Sequence, residues 1–241
     1  MDGRVALVTG ANKGIGLEIA RGLGALGITV LVGARDGSRG RDAVAVLRQG
    51  GADAHHLALD VTDEVSVSGA ARRVEADFGR LDILVNNAGV SIGSGRRPSE
   101  VAPADVRRTY EVNVFGVVTV TNAFLPLLRR APAARIVNMS SSLGSLARNA
   151  DPGSGQGAVN LLAYNSSKAA LNAVTLEYAK ELRGTPIKIN AACPGYCATD
   201  LNGRRGHRTA TQGAVIAVRL ATLPDDGPSG AYLDEDGTVP W

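Results

Sequence analysis

The chain has 241 residues, 44% of them hydrophobic and 20% charged, enough to bury a sizeable core and too apolar for a disordered chain. Its 26 basic and 23 acidic side chains leave a formal charge of +3 spread along the sequence, with no basic run to track a nucleic-acid backbone, so no nucleic-acid partner is expected. No segment approaches the roughly 20 apolar residues that span a bilayer, and a strand-like run begins at Arg4 with no room before it for a leader. These features predict a soluble, cytoplasmic protein.

Short runs rich in Val, Ile and Leu alternate with stretches of helical periodicity. In chain order the strand candidates are Arg4–Val8, Ile28–Ala34, Ala54–Leu59, Leu81–Asn86, Arg135–Met139, Ile187–Ala192 and Gly230–Leu233. The helix candidates between them are Ile15–Leu26, Arg39–Arg48, Asp63–Phe78, Pro103–Leu128, Tyr164–Leu182 and Thr209–Thr222. Crossovers between parallel strands are right-handed, and helices must cover both faces of such a sheet. The order therefore predicts one α/β Rossmann-like doubly wound domain over residues 1–241, with a seven-stranded, mainly parallel sheet. Residues 145–163 break the rhythm, and Asp151-Pro152-Gly153-Ser154-Gly155 within them reads as a loop inserted over the site.

The first strand runs into Thr9-Gly10-Ala11-Asn12-Lys13-Gly14-Ile15-Gly16, which opens the first helix. Glycines there allow a tight turn and a close backbone approach, so a pyrophosphate can rest on amides at the helix N-terminus. The end of the second strand is where a carboxylate would bond the ribose of NAD and repel a 2′-phosphate; here it carries Ala34 and then Arg35. Arg35 and Lys13 are two cations suited to converge on a 2′-phosphate, although Asp36, one place on, is within reach of a ribose. Asp60-Val61 closes the third strand and Asn86-Asn87-Ala88-Gly89 the fourth.

Tyr164-Asn165-Ser166-Ser167-Lys168 sits at the start of a helix, where a spacing of four puts tyrosine and lysine on one face. An ammonium there would lower the phenol from its usual value near 10. Arg135–Met139 runs out into Ser140-Ser141-Ser142-Leu143-Gly144, at the end of the sheet where ligands bind. The sixth strand is followed by Pro194-Gly195-Tyr196-Cys197-Ala198-Thr199. Cys193 and Cys197 have no histidine or further cysteine nearby and make no metal site.

Taken in order from Thr9 to Thr199, these motifs resemble the short-chain dehydrogenase/reductase family, and its carbonyl-reductase group in particular. The resemblance implies an NADP(H)-dependent reduction of a ketone or aldehyde, reversible as alcohol oxidation, with Tyr164 as proton donor. It implies that Ser141 polarises the carbonyl, with Ser140 and Ser142 as competing hydroxyls one register away. It further implies that Lys168 tunes the tyrosine and grips the nicotinamide ribose, and that Asn113 helps hold a water linked to the lysine. The cofactor set it implies is Gly10, Asn12, Lys13, Gly14, Ile15, Gly16, Arg35, Asp60, Val61, Asn87, Ala88, Gly89, Tyr164, Lys168, Pro194, Gly195 and Thr199. Leu143, Asn160, Leu161 and Tyr196 are placed to line a substrate pocket.

Ser141 and Tyr164 stand 23 positions apart, about ten more than the family's commonest spacing. Such an insertion would cover the long-helix surface through which many relatives pair, so a monomer or homodimer is expected. Within the family, a ketoacyl or polyketide reductase or an alcohol dehydrogenase is the alternative. A nucleotide-sugar epimerase would need a second lobe, for which the roughly 40 residues after Thr199 are too few. A non-catalytic NADP-sensing module is the alternative of a different class.

Overall fold

Successive residues of a strand point to opposite sides of a sheet, and in this chain both sides are buried. The first strand, β1 (Val5–Thr9), shows the rule: Ala6 and Val8 enter one core while Val5 and Leu7 enter another. The computed structural model describes residues 3–93 and 95–241. After β1 the elements are α1 (Gly14–Ala25), β2 (Thr29–Ala34), α2 (Gly37–Gln49), β3 (Ala54–Ala58), α3 (Glu64–Phe78) and β4 (Ile83–Asn86). Then come α4 (Pro103–Tyr110), α5 (Gly116–Leu128), β5 (Arg135–Met139), α6 (Leu146–Ala150), α7 (Leu162–Glu181), β6 (Lys188–Ala192), α8 (Ala210–Ala221) and β7 (Tyr232–Leu233).

The sheet order is β3-β2-β1-β4-β5-β6-β7, with every neighbouring pair parallel. The fold is thus the doubly wound Rossmann-like α/β architecture that the alternating pattern predicts. One core is closed by Ile19 and Leu23 of α1, Leu47 of α2 and Ile216 and Leu220 of α8; the other by Val67 and Val74 of α3 and Val120 and Phe124 of α5. Winding outward from β1 in both directions leaves a crevice at the carboxyl ends of β1 and β4, where the connections diverge.

A polar thread crosses the apolar interior beside that crevice. Asn86 Nδ2 donates to Asn138 Oδ1 at 2.9 Å and to Thr121 Oγ1 at 3.1 Å, and Asn138 Nδ2 donates to Thr175 Oγ1 at 2.9 Å. It ties β4, β5, α5 and α7 in fixed register, because each amide left unpaired at this depth would cost about 1–3 kcal/mol.

Three expectations need correction. The predicted helix over Pro103–Leu128 is interrupted by a π turn at Glu111–Phe115, where the Gly116 amide bonds back to the Glu111 carbonyl. Gly116 is tight against Val61, whose side chain lies 2.9 Å from where a Cβ would stand, so the helix adjusts by one residue to pack there. That same run of 26 residues holds an 18-residue window of mean hydropathy 1.4, long and apolar enough to cross a membrane by length and composition, although no such segment was expected; half of that window is buried inside the fold. Residues 145–163, expected as a loop, begin with the short helix α6.

Phe124 is fully buried at the centre of the core between α5 and the sheet. Phe124→Ala should therefore destabilise the chain by about 3–5 kcal/mol, read as a lowered urea midpoint at unchanged m.

Candidate active site

The crevice is a cleft of about 510 Å³. At one end lies the turn from β1 into α1. Gly10 and Gly14 hold φ of +64° and +58°, and a Cβ on Gly10 would stand 3.0 Å from Ala88 Cα. A Cβ on Gly16 would meet Asn87 Nδ2 at 2.4 Å. Among the described residues no side chain caps α1, and no acid occupies its first turn, so the amides of Gly14, Ile15 and Gly16 open on the cleft as orphan donors. An uncapped helix start with its flanking side chains removed fits the phosphates of a dinucleotide.

The loop leaving β4 is bolted to this turn. Thr9 Oγ1 accepts from the amides of Asn87 (2.9 Å) and Ala88 (3.0 Å), while Asn87 Nδ2 donates to Thr9 O at 2.8 Å. Asn87, Ala88 and Gly89 line the cleft together with Asn12 and Lys13. Asp60 and Val61 line it at the end of the third strand, and burial pushes the Asp60 carboxyl up. Hydrogen bonds from Thr62 and the Arg35 charge outweigh that and hold it below the usual carboxylate range.

Asp36, the acid one place after Arg35, is engaged on α2 in the structure. Its carboxylate caps α2, accepting from the amides of Ser38 (3.0 Å) and Arg39 (3.1 Å), and it is held below the usual range chiefly by the latter bond. Arg35 lines the cleft. Lys13 lines it too, but its ammonium is already engaged, donating to Asp200 Oδ2 at 2.8 Å. No local motif points to that pairing.

At the other end Tyr164 and Lys168, one turn apart on α7, face the cleft as expected. Lys168 Nζ lies 5.7 Å from the Tyr164 ring centre and donates to Met139 O at 2.7 Å. The expected lowering of the phenol is not what this arrangement produces. Burial pushes Tyr164 up to about 12, only partly offset by a hydrogen bond with Ser141. Burial also pulls Lys168 down to about 8, which weakens the very charge that was to act on the tyrosine.

Of the three serines, Ser140 turns its hydroxyl away to Asn172 Oδ1 at 2.6 Å, although it touches the cleft wall. The Ser142 amide donates to Cys193 Sγ at 3.1 Å. Ser141 is the one whose side chain meets Tyr164. Its backbone carbonyl accepts from the hydroxyl of the buried Tyr232, a support from the far end of the chain that short-range spacing does not reveal.

Asn113, on the π turn, is wholly buried but does not reach the cleft itself. Its Oδ1 accepts from Val90 N at 2.9 Å, and its Nδ2 donates to Val90 O (2.9 Å) and Ser167 Oγ (3.0 Å). Both Nδ2 hydrogens are thus engaged and Oδ1 holds one bond, so the side chain braces the β4 loop against α7 beside Lys168. Pro194 and Thr199 line the cleft, whereas Gly195, at φ +75°, lies under the Arg208 side chain. Thr62, Val90, Val112, Leu201 and Arg204 are also on the wall, and the sequence motifs do not include them.

A family model described as short chain dehydrogenase matches residues 4–210. Salutaridine reductase of Papaver bracteatum is 37% identical, with 96% of this chain and 94% of the relative covered. NADPH carbonyl reductase 1 of Bos taurus is 32% identical, with 98% of each covered. Among solved structures, the NADPH-bound carbonyl reductase from chicken fatty liver superposes with a TM-score of 0.86 at 30% identity, covering 99% of both chains.

Lys168 sheds its proton near pH 8 in the folded chain, against an ordinary value of 10.5. Across that window the unfolded chain binds more protons, so stability rises with pH there, by up to about 3 kcal/mol from this group. Urea unfolding of the protein and of Lys168→Met from pH 7 to 10.5 should show the variant lacking that rise and standing above the unaltered chain at pH 7.

Proposed function

The chain belongs to the short-chain dehydrogenase family, and on that footing we propose that it is an NADP(H)-dependent oxidoreductase that reduces a ketone or aldehyde carbonyl with Tyr164 as proton donor. The observation that carries this reading is the meeting, in one cleft, of an uncapped glycine-rich helix start with a half-buried tyrosine and its lysine, with Ser141 beside that tyrosine. The same groups serve the reverse oxidation of an alcohol.

The dinucleotide would be held by the turn at Gly10–Gly16, by Asp60, Val61 and the Asn87–Gly89 loop, and by Lys168, Pro194 and Thr199. Arg35 with Lys13 supplies positive charge for a 2′-phosphate, and Asp36 Oδ1 is engaged by the first amides of α2. When bound, the nicotinamide supplies hydride chemistry. Tyr164, kept neutral by burial up to about pH 12, is an acid at physiological pH and can protonate the alkoxide oxygen. Ser141 Oγ bonds the same oxygen and fixes the carbonyl for attack on one face. Lys168, close to half-protonated near pH 8, is suited to pass a proton back to Tyr164.

The substrate end favours an apolar carbonyl compound. Leu146 is exposed, and the Trp241 ring lies 5.3 Å from that of Tyr232 while its backbone carbonyl accepts from Ala147 N at 3.0 Å, which sets both beside the Ser141 turn. Tyr196 stands exposed two places after Pro194.

Loss of NADPH absorbance against a panel of ketones, quinones and aldehydes tests the reading. Tyr164→Phe should lower kcat by about 10²–10⁴-fold while leaving NADPH binding in place; a panel that the variant reduces as well as the unaltered protein would refute the assigned donor. Arg35→Ala should weaken NADPH by about ten- to hundredfold and leave NADH nearly unchanged. Equal loss for both cofactors would remove Arg35 from the 2′-phosphate.

A further inference from the structure

Asp200 stands between two cations of the cleft. Its Oδ2 accepts from Lys13 Nζ at 2.8 Å, and its Oδ1 lies 3.4 Å from Arg204 Nε. All three residues line the cleft, and Lys13 and Asp200 are 187 positions apart in the chain. The pair therefore straps the segment after β6 across the mouth onto the glycine-rich turn. The neck of this strap is closed by Ala198 N to Arg208 O at 2.8 Å and Arg208 N to Tyr196 O at 3.1 Å. Its tip is held by Arg204 N to Thr199 O at 2.8 Å, with Arg204 at the left-handed φ of +62°.

The two partners of the ion pair are 57% and 50% exposed, so water competes with the bond and neither group is committed to it by burial. A phosphate monoester carries about −1.5 to −2 charge near neutrality, more than a carboxylate, and makes the same charge-assisted hydrogen bonds.

We propose that Asp200 is an internal competitor for the cofactor's 2′-phosphate: its carboxylate occupies the Lys13 ammonium that the phosphate needs, and binding exchanges one anion for the other and unfastens the strap. Arg204 keeps the displaced carboxylate paired, so the exchange strands no charge. The hydrogen bond and charge of Lys13 hold the Asp200 carboxyl below its usual range, which keeps the competitor ionised wherever the phosphate is. The proposal rests on the NADP(H) reading above. It makes Asp200 a residue that tunes cofactor affinity from outside the binding set, and it joins cofactor capture to opening of the segment that carries Leu201 on the cleft wall.

Calorimetric binding of NADPH, NADH, 2′,5′-ADP and 5′-AMP tests it without turnover. Asp200→Asn and Asp200→Ala should each tighten NADPH and 2′,5′-ADP by about two- to fivefold, the scale of an exposed ion pair, and leave NADH and 5′-AMP unchanged. In a Lys13→Met background the same changes should have no effect, which a merely structural role for Asp200 would not predict. With no ligand present, trypsin should cut after Arg204 and Arg205 faster in Asp200→Asn than in the unaltered protein. Weakened or unchanged NADPH binding in both Asp200 variants, an equal gain for NADH, or a gain that survives Lys13→Met overturns the competition alone. If the unaltered protein binds neither NADPH nor 2′,5′-ADP, the cofactor reading falls and this one with it.

Discussion

The hydrogen bonds between the end of β1 and the loop after β4 are the constraint on which the cleft depends. Thr9 Oγ1 takes two amides from Asn87 and Ala88, and Asn87 Nδ2 returns to the carbonyls of Thr9 and Gly10 at 2.8 and 3.3 Å. These bonds close a space in which a Cβ on Gly16 would stand 2.4 Å from Asn87 Nδ2. The glycine pattern is thus half of a contact whose other half is the Asn-Asn-Ala-Gly run. Separating the two strands' connections by any other route would leave the orphan amides of α1 facing solvent rather than a walled crevice.

Burial sets the chemistry at the far end. The same desolvation that holds Tyr164 as a neutral phenol brings Lys168 down toward neutrality. On a surface Tyr-x-x-x-Lys pair the two groups would hold their protons about equally firmly, near pH 10. Sinking both reverses the order, so that the phenol becomes the firmer holder and the ammonium the readier donor. The donor role proposed for Tyr164 would leave a phenolate that the lysine could reprotonate downhill. Asn113 and Met139 make the sinking tolerable, since one braces the loop beside the lysine and the other accepts its hydrogen bond.

Much of this was legible because it is local. Strand alternation, the Gly10–Gly16 turn at a strand-to-helix junction and the four-residue step from Tyr164 to Lys168 are patterns that short-range geometry enforces. The rest depends on contacts that no window contains. The π turn at Glu111–Phe115 answers the close approach of Val61, fifty-five places before Gly116. Which of three adjacent serines faces Tyr164 is decided by Asn172 and Cys193, which draw Ser140 and the Ser142 amide the other way. The partner of Lys13 comes from the segment after β6, which only the sheet order brings back to β1. The direction of the Tyr164 shift needed the burial of the site, which spacing does not reveal.

The shortest strand illustrates how the two ends of the cleft are held to one frame. β7 adds two residues to the sheet edge, little for sheet stability, and is fastened by Asn190, whose Oδ1 accepts from Ala231 N and whose Nδ2 donates to Pro228 O, both at 2.9 Å. What it delivers is Tyr232, buried beneath the serine turn with its hydroxyl on the Ser141 carbonyl and with Cys193 N bonded to Leu233 O at 2.8 Å alongside. Burial pushes the Tyr232 phenol up, which favours the protonated, hydrogen-bond-donating form. The turn bearing Ser141 is therefore fixed from below by β7, from the side by Asn172 and from the sheet by Cys193. A serine so held offers its hydroxyl at a set position, as the proposed reduction requires, and the freedom left to the site lies in its exposed segments, α6 on one side and the strap around Asp200 on the other.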